Sequence, residues 1–106
     1  MYTRIWKYNF STGELTELLT KGRPADQVFC NNLLSDGLHM LCGVCFEDNK
    51  YQALYITSLD GSEWKLLSKR QEYVYSSAVN HAETHIAFHV ASEGYTITTI
   101  NMDGNE

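Results

Sequence analysis

Apolar and polar residues alternate along most of the chain in short runs that end at turn signals. This period of two is typical of β-strands, and no stretch shows the 3.6-residue period and end signals of a helix. The best helical alternative, residues 14–21, is short and has the same pattern as the strand-like segment 63–68. The pattern predicts antiparallel strands at residues 4–10, 14–19, 26–31, 38–46, 51–59, 63–68, 73–79, 84–90 and 95–102.

Turn glycines recur along the chain and end runs of aromatic or aliphatic residues. They are Gly13, Gly61 and Gly104, so they lie 48 and 43 residues apart. Glycine supplies the positive φ that tight hairpin turns need, and Asp-Gly is a strong hairpin signal. We therefore expect Gly61 and Gly104 to lie in matched hairpin turns.

A second kind of turn precedes a strand and also recurs. Residues 34–37 lead into the apolar run that contains His39, and residues 80–83 lead into the run that contains His85, 46 residues later. Both markers give a period in the mid-forties, which is the length of a four-stranded propeller blade.

The repeat predicts an all-β fold of antiparallel four-stranded blades of β-propeller type, about two blades in a single unit over residues 1–106. The expected division is a half blade at 1–20, a complete blade at 25–68 and a partial blade at 72–106. A ring needs at least about four blades, so one chain is not expected to close it. We expect self-association through the terminal blades, or a longer propeller around this segment, with a small sheet sandwich as the alternative.

Composition narrows the classes of protein. The apolar content of 43% is too high for a disordered chain, and the net charge of −5 comes from scattered acidic residues. The eight lysines and arginines form no stripe, so nucleic acid is not an expected partner. No apolar run reaches the roughly 18 residues of a membrane span, and the start lacks a signal peptide, so we expect a cytoplasmic protein without membrane contact.

At its turns the sequence carries a short recurring motif. Residues 34–37 read Leu-Ser-Asp-Gly and are followed by the apolar triplet 40–42; residues 54–61 end in Asp-Gly, as do residues 101–104. This motif resembles the WD40-like PD40 repeats of TolB-type propellers, which run Ser-Pro-Asp-Gly, an apolar triplet and an aromatic-rich strand ending in Asp-Gly. The sequence departs from the family at residues 80–83, which read Asn-His-Ala-Glu, and at the missing turn prolines.

The resemblance implies two kinds of function. Such repeats occur in scaffolds that bind proteins or other ligands, in serine-peptidase propellers and in oligogalacturonate lyase-like enzymes. The sequence has no G-x-S-x-G motif, no phosphate-binding glycine loop and no paired carboxylates, so we assign no catalytic residue. We predict a scaffold for a protein or carbohydrate ligand; the alternative is a segment of a metal-dependent, sugar-active propeller enzyme.

Three histidines are the candidate metal ligands. His85 and His89 share one face of a predicted strand, His81 lies in the preceding turn, and Glu93 could add an oxygen ligand. The lyase-like relatives also hold a metal with blade histidines, which makes a divalent metal the alternative to a chain without a cofactor. By strand rise, His85 and His89 are about 13 Å apart at Cα, which is long for one ion, so packing is the competing interpretation.

The three cysteines form a second candidate. Cys42 and Cys45 make a CxxC with His39 before it and Cys30 upstream, a spacing that can hold zinc or exchange thiols. In a strand, however, positions i and i+3 point to opposite faces. We therefore predict reduced structural thiols.

Aromatic side chains are the candidate binding residues. Tyrosines and tryptophans on strands can stack on sugar rings or anchor a protein partner, and packing within the sheets is the alternative. The predicted binding residues are Tyr51, Tyr73, Tyr95 and Trp64.

Overall fold

The computed structural model describes residues 2–46, 51–68, 74–90 and 96–103. Every regular element in these ranges is a β-strand, which confirms the predicted all-β class and the nine predicted strand positions. The first two strands are three residues each, shorter than the predicted 4–10 and 14–19. The strands are β1 (Trp6–Tyr8), β2 (Leu15–Glu17), β3 (Gln27–Leu33), β4 (His39–Phe46), β5 (Tyr51–Ser58), β6 (Trp64–Leu66), β7 (Val74–Val79), β8 (His85–Val90) and β9 (Thr96–Asn101).

The strands form three sheets in chain order. The hairpin β1-β2 is followed by a four-stranded sheet, β3-β4-β5-β6, and by a three-stranded sheet, β7-β8-β9. All neighbouring strands are antiparallel and consecutive in sequence, so every described connection within a sheet is a hairpin. In the described residues no sheet closes into a barrel.

The four-stranded and three-stranded sheets begin with matching turns. Before β4, the Leu34 N–H donates to the His39 carbonyl at 3.0 Å; before β8, the Asn80 N–H donates to the His85 carbonyl at 3.1 Å. The two turns are 46 residues apart, so His39 and His85 hold equivalent positions, as the sequence predicted. The turn at Gly104 lies outside the described residues.

The hairpin β1-β2 is equivalent to β5-β6, the outer half of the four-stranded sheet. At its tip the Asn9 N–H donates to the Glu14 carbonyl at 2.9 Å, and 49 residues later the Ser58 N–H donates to the Glu63 carbonyl at 3.1 Å. Both tips therefore enclose four residues. The hairpin thus represents the third and fourth strands of a sheet.

The same offset of 49 residues relates the two strand pairs at their other ends, away from the tips. The Leu18 N–H donates to the Ile5 carbonyl, and the Leu67 N–H donates to the Leu54 carbonyl, both at 2.8 Å. Leu18 packs on the four-stranded sheet, whereas Leu54 and Leu67 pack on the three-stranded sheet. One packing arrangement is therefore used twice, between the first and second sheets and between the second and third.

The core lies between the sheets, and β4 is buried on both faces. Its even-numbered residues from Met40 to Phe46 face the hairpin, and Leu41 faces the three-stranded sheet. This explains why β4 reads as a nearly continuous apolar run, since a strand buried on both sides has no polar face. The buried cluster toward the hairpin comprises Leu18, Leu19, Val28, Met40, Cys42, Val44, Phe46 and Ala53. The cluster toward the third sheet comprises Leu41, Leu54, Leu67, Ile86, Phe88 and Ile100.

Candidate functional site

The turns of the second and third sheets meet at one end of the molecule. This end, here called the turn end, comprises residues 34–38, 58–63, 80–84 and 101–103. Within the second sheet the Leu59 N–H donates to the Leu38 carbonyl at 3.3 Å, and within the third the Met102 N–H donates to the Thr84 carbonyl at 3.1 Å. In each sheet the bond holds the residue that follows the third strand against the turn that precedes the second strand.

A carboxylate connects the turns of neighbouring sheets. Glu83 accepts hydrogen bonds from the Ser35 hydroxyl at 2.6 Å and from the Ser35 N–H at 2.9 and 3.0 Å. The Ser35 hydroxyl and then its N–H hold the pKa of Glu83 below its ordinary value, because they stabilise the ionised form. The contact fixes the spacing of the two turns.

Glu83 adopts a backbone conformation that is unusual for its residue type. Its φ of 57° is left-handed, and the equivalent residue of the preceding turn is Gly37, with a φ of 70°. A side chain in this conformation costs roughly 1–2 kcal/mol relative to glycine. The bonds to Ser35 offset that cost, and they explain how the third sheet keeps this turn without a glycine.

In each of these two turns a polar side chain accepts hydrogen bonds from nearby backbone N–H groups. The Asp36 carboxylate accepts the N–H groups of Leu38 and His39, and its other oxygen lies 2.7 Å from the His39 ring nitrogen Nδ1. These bonds, from Leu38 first, lower the pKa of Asp36. In the third sheet the Asn80 side-chain oxygen accepts the N–H groups of Thr84 and His85 instead.

Asp60 organises the tip between β5 and β6. Its Oδ1 accepts the Ser62 hydroxyl at 2.7 Å, the Ser62 N–H at 2.9 Å and the Ser58 hydroxyl at 2.9 Å. Lys21 lies 3.3 Å from its Oδ2. These donors, led by the Ser62 hydroxyl, hold the pKa of Asp60 far below its usual range, so the side chain is ionised at neutral pH.

At each of the two interfaces between sheets, a lysine from the earlier sheet forms an ion pair with the aspartate in a turn of the next sheet. Lys21 pairs with Asp60, and Lys65 pairs with Asp103 at 3.1 Å. Lys65 also lies 3.4 Å from the Met102 carbonyl oxygen. Lys65 lies in β6, whereas Lys21 follows the end of β2 by four residues, yet the aspartates are equivalent, 43 residues apart.

Two grooves flank the tip at Leu59 and Asp60. The first, of about 360 Å³, lies between the hairpin and this tip. The second, of about 400 Å³, is more open and lies between the tip and the turn at residues 34–38. The first groove is lined by Lys7, Asn9, Glu14, Thr16, Glu17, Leu18, Thr20, Leu59 and Asp60. The second is lined by Leu38, His39, Ser58, Leu59, Asp60, Ser62 and Glu63.

The grooves offer hydrogen-bond donors, acceptors and charges of both signs around a small apolar floor. Neither lining contains the large ring of a phenylalanine, tyrosine or tryptophan on which a sugar could stack, and His39 supplies an imidazole to the second groove. Such a surface can bind an extended polar chain through backbone and side-chain hydrogen bonds.

None of the histidines predicted to hold a metal lines either groove, although His81 lies in the turn end and His85 begins β8 beside it. His81 is exposed, and the His85 Nδ1 lies 2.9 Å from the Thr84 hydroxyl. His89 lies opposite Ile97 in the ladder. In the described ranges, no group of three or more His, Cys, Asp or Glu side chains is arranged to hold a metal ion, and Glu93 lies outside those ranges.

The cysteines are free thiols. Cys42 points toward the hairpin and is fully buried, and its cross-strand partner Cys30 is exposed. Burial, and then the neighbouring Cys30, raise the pKa of Cys42 to about 12. Burial also raises the pKa of Cys45. Both groups are therefore protonated at neutral pH, which is the state of structural thiols.

The predicted aromatic binding residues contact the protein itself where they are described. The Trp64 indole N–H donates to the carbonyls of Gly61 at 2.9 Å and Gly22 at 3.2 Å. Its ring lies edge-to-face against Tyr55, with centroids 5.7 Å apart. Tyr51 packs against the cluster on the hairpin side of the sheet. Tyr73 and Tyr95 lie outside the described residues.

Sequence reasoning missed the residues that shape the turn end. Ser35 and Glu83 are 48 residues apart, and no local pattern connects them. Asp60 had a detectable signal, because an aspartate two residues before a serine in a turn commonly accepts that serine's N–H. The exposed aromatics of the hairpin, Trp6 and Tyr8, were counted only as strand residues.

Comparisons with protein-family models, with curated proteins and with solved structures gave no match. Among the described residues there is no helix that could carry the chain across a membrane. The geometry of the sheets and the turn end is therefore the basis for assigning a function.

Proposed function

We propose that the chain is a propeller-type repeat segment that acts as a binding scaffold, with the turn end as its contact surface. The observation that carries the proposal is the repeated sheet-on-sheet packing, in which equivalent leucines fill both interfaces. Sheets that are stacked at a constant spacing, with one set of turns at a common end, are typical of propellers. In such architectures the rigid sheets position loops that bind.

A peptide segment of a protein partner fits the turn end better than a carbohydrate. Sugar sites in proteins rely on the large aromatic rings of phenylalanine, tyrosine and tryptophan, and neither groove lining includes one of these residues. Exposed carboxylates at Glu14 and Glu63, with the neighbouring hydroxyls, instead offer acceptors to the backbone N–H groups and cationic side chains of a peptide.

The proposal is tested with a phage-displayed peptide library, run beside an immobilised glycan panel. A selected peptide is then titrated into ¹⁵N-labelled protein while amide chemical shifts are recorded. We expect shifts at residues 34–38 and 58–63, and at the hairpin residues that line the first groove, such as Glu14 and Thr16. Peptide binding at other surfaces, or binding of glycans without peptides, would contradict the proposal.

Charge-reversal variants give the matched comparison. Glu14→Lys and Glu63→Lys place opposite charge in the two grooves and should weaken peptide binding about tenfold or more, in the range of interface hot spots. Asp26→Lys is the control, because Asp26 is exposed and precedes β3 at the opposite end of the sheet. Equal affinity loss in all three variants would indicate a non-specific charge effect and contradict the assignment of the site.

A further inference from the structure

The stack of sheets has two exposed outer faces with large apolar side chains. One is the outer face of the hairpin, formed by Trp6, Tyr8 and Leu15, each about half exposed. The other is the far face of the three-stranded sheet, where Ile97 is 76% exposed. The two faces lie at opposite ends of the stack.

Within the four-stranded sheet the equivalents of these residues are buried. Leu54 pairs with Gly43 in the second sheet at the place where Ile97 pairs with His89 in the third, so Leu54 and Ile97 are equivalent. Leu54 is only 2% exposed, because the third sheet covers it. Thr57 pairs with Trp64 at the place where Tyr8 pairs with Leu15 in the hairpin, so Thr57 and Tyr8 are equivalent. Thr57 is 0% exposed, whereas Tyr8 is 53% exposed.

The internal interfaces show which residue meets which. Between the second and third sheets, Leu54 shares a buried cluster with Ile100. Ile100 pairs with Ile86 in the third sheet at the place where Thr57 pairs with Met40 in the second sheet. Ile100 is therefore equivalent to Thr57. Because Thr57 is in turn equivalent to Tyr8 of the hairpin, Ile100 is equivalent to Tyr8 as well. An interface of the same kind would place Ile97 of one chain against Tyr8 of another.

The charges of the two faces are compatible with contact. Glu17 is the one carboxylate on the outer face of the hairpin strands, and Arg4 lies 3.7 Å from it. On the far face of the third sheet, Ile97 is flanked by His89, its ladder partner, and by Ala87 and Thr99, none of which is a carboxylate. Neither face therefore brings an unpaired carboxylate to the contact.

We propose that a second copy of this chain docks head-to-tail, with the outer face of its hairpin covering the far face of the three-stranded sheet. This inference rests on the proposed propeller-type repeat. The interface is heterologous, because two different surfaces meet, so further copies add to each free end and form a ring where the rotation closes or an open filament where it does not. A two-stranded hairpin buries little area, which makes the association weak and dependent on concentration.

Sedimentation velocity over a concentration series tests the docking. Wild-type protein should shift to larger species as concentration rises. Tyr8→Glu and Ile97→Glu should each raise the concentration at which larger species form about tenfold or more, because each places a charge in the apolar contact. Leu33→Glu is the control: Leu33 is also exposed, but it ends β3 and lies outside both docking faces and both grooves.

Mixing the two variants gives the decisive result. The Tyr8→Glu chain keeps an intact Ile97 face, and the Ile97→Glu chain keeps an intact hairpin face. An equimolar mixture should therefore form a 1:1 dimer and nothing larger, although neither variant associates alone. Circular dichroism of each variant confirms that it is folded.

Three outcomes would overturn the docking. They are a wild-type chain that stays monomeric at its highest soluble concentration, association that the variants leave intact, and a mixture that remains monomeric. A wild-type chain that stays monomeric would show that a second copy does not cover these faces. Peptide binding at the turn end is measured separately, so failure of the docking and failure of the proposed function are distinguishable.

Discussion

Gly61 and Gly22 pack backbone against backbone where the chain leaving the hairpin crosses the tip between β5 and β6. A Cβ added at Gly61 would collide with the Gly22 carbonyl oxygen and would lie 3.1 Å from the Leu19 Cα. Gly61 also has a positive φ of 82°. Two independent constraints, conformation and space, therefore require glycine at this position.

Gly61→Ala should destabilise the protein much more than Gly37→Ala. Gly37 has a similar φ of 70°, but no atom lies within 4 Å of its added Cβ, so its variant bears only the backbone cost of about 1–2 kcal/mol. Gly61→Ala adds overpacking against rigid backbone, typically about 1–3 kcal/mol more. Urea unfolding measures both free energies, and equal losses would contradict the close contact.

Leu54→Ala and Ile97→Ala compare equivalent positions in two sheets. Leu54 fills the buried cluster between the second and third sheets, so its truncation should cost about 2–5 kcal/mol. Ile97→Ala should change the free energy of unfolding by less than about 0.5 kcal/mol at low protein concentration, as exposed substitutions do. A large loss for the Ile97 variant in dilute solution would show that its face is covered within the monomer.

Trp64→Phe should lower stability by about 1 kcal/mol, because it removes the indole donor from two carbonyls while keeping a ring against Tyr55. Trp6→Phe is the control, since Trp6 is half exposed. Its effect should be close to zero in dilute solution. Guanidinium titrations followed by circular dichroism compare the two, and equal effects would contradict the hydrogen bonds.

Asp60→Asn should flatten the response of stability to acid. The folded pKa of Asp60 lies below its ordinary value of 3.8, chiefly because of the Ser62 hydroxyl. Its stabilising contribution is therefore present above pH 3.8 and is lost as the pH falls toward the folded pKa. The wild type should be more stable than the variant at pH 7, and the gap should narrow below pH 3.8. Unfolding curves at several pH values measure this gap, and a constant gap would contradict the prediction.

One of the three thiols should react quickly with a disulfide reagent such as Ellman's reagent in the folded protein. Cys30 is exposed, whereas burial protects Cys42 and Cys45. Thiolate is the reactive form, and burial raises the pKa of all three thiols, that of Cys42 to about 12. The exposure of its side chain is therefore what makes Cys30 the fastest of the three. Cys30→Ser should remove the fast phase and Cys45→Ser should keep it. A fast phase that survives in Cys30→Ser would contradict the burial of the other two thiols.

The strands and their repeat were predictable because both arise from local patterns. Alternating residues define a strand with two different faces, and Gly13 and Gly61 mark tips whose geometry requires positive φ. The doubly buried strand β4 was also recognisable from its continuous apolar run.

The contacts of the candidate site were not predictable, because they join distant parts of the chain. Glu83 carries no turn signal, and its left-handed backbone depends on the bonds to Ser35 of the neighbouring sheet. Trp64 was predicted to be available to a ligand, but its indole N–H meets two carbonyls that only the packing of Gly22 against Gly61 brings together. Pattern analysis gives the faces of a strand and not the element that covers them.

The hairpin depends on the neighbouring sheet for its stability. A two-stranded hairpin is marginal in water on its own. Its stability comes from Leu18 and Leu19 packed on the four-stranded sheet and from the Leu19 N–H bonded to the Leu59 carbonyl. Loss of that contact should therefore release both strands together, so the amide hydrogens of the hairpin should be among the first to exchange with solvent.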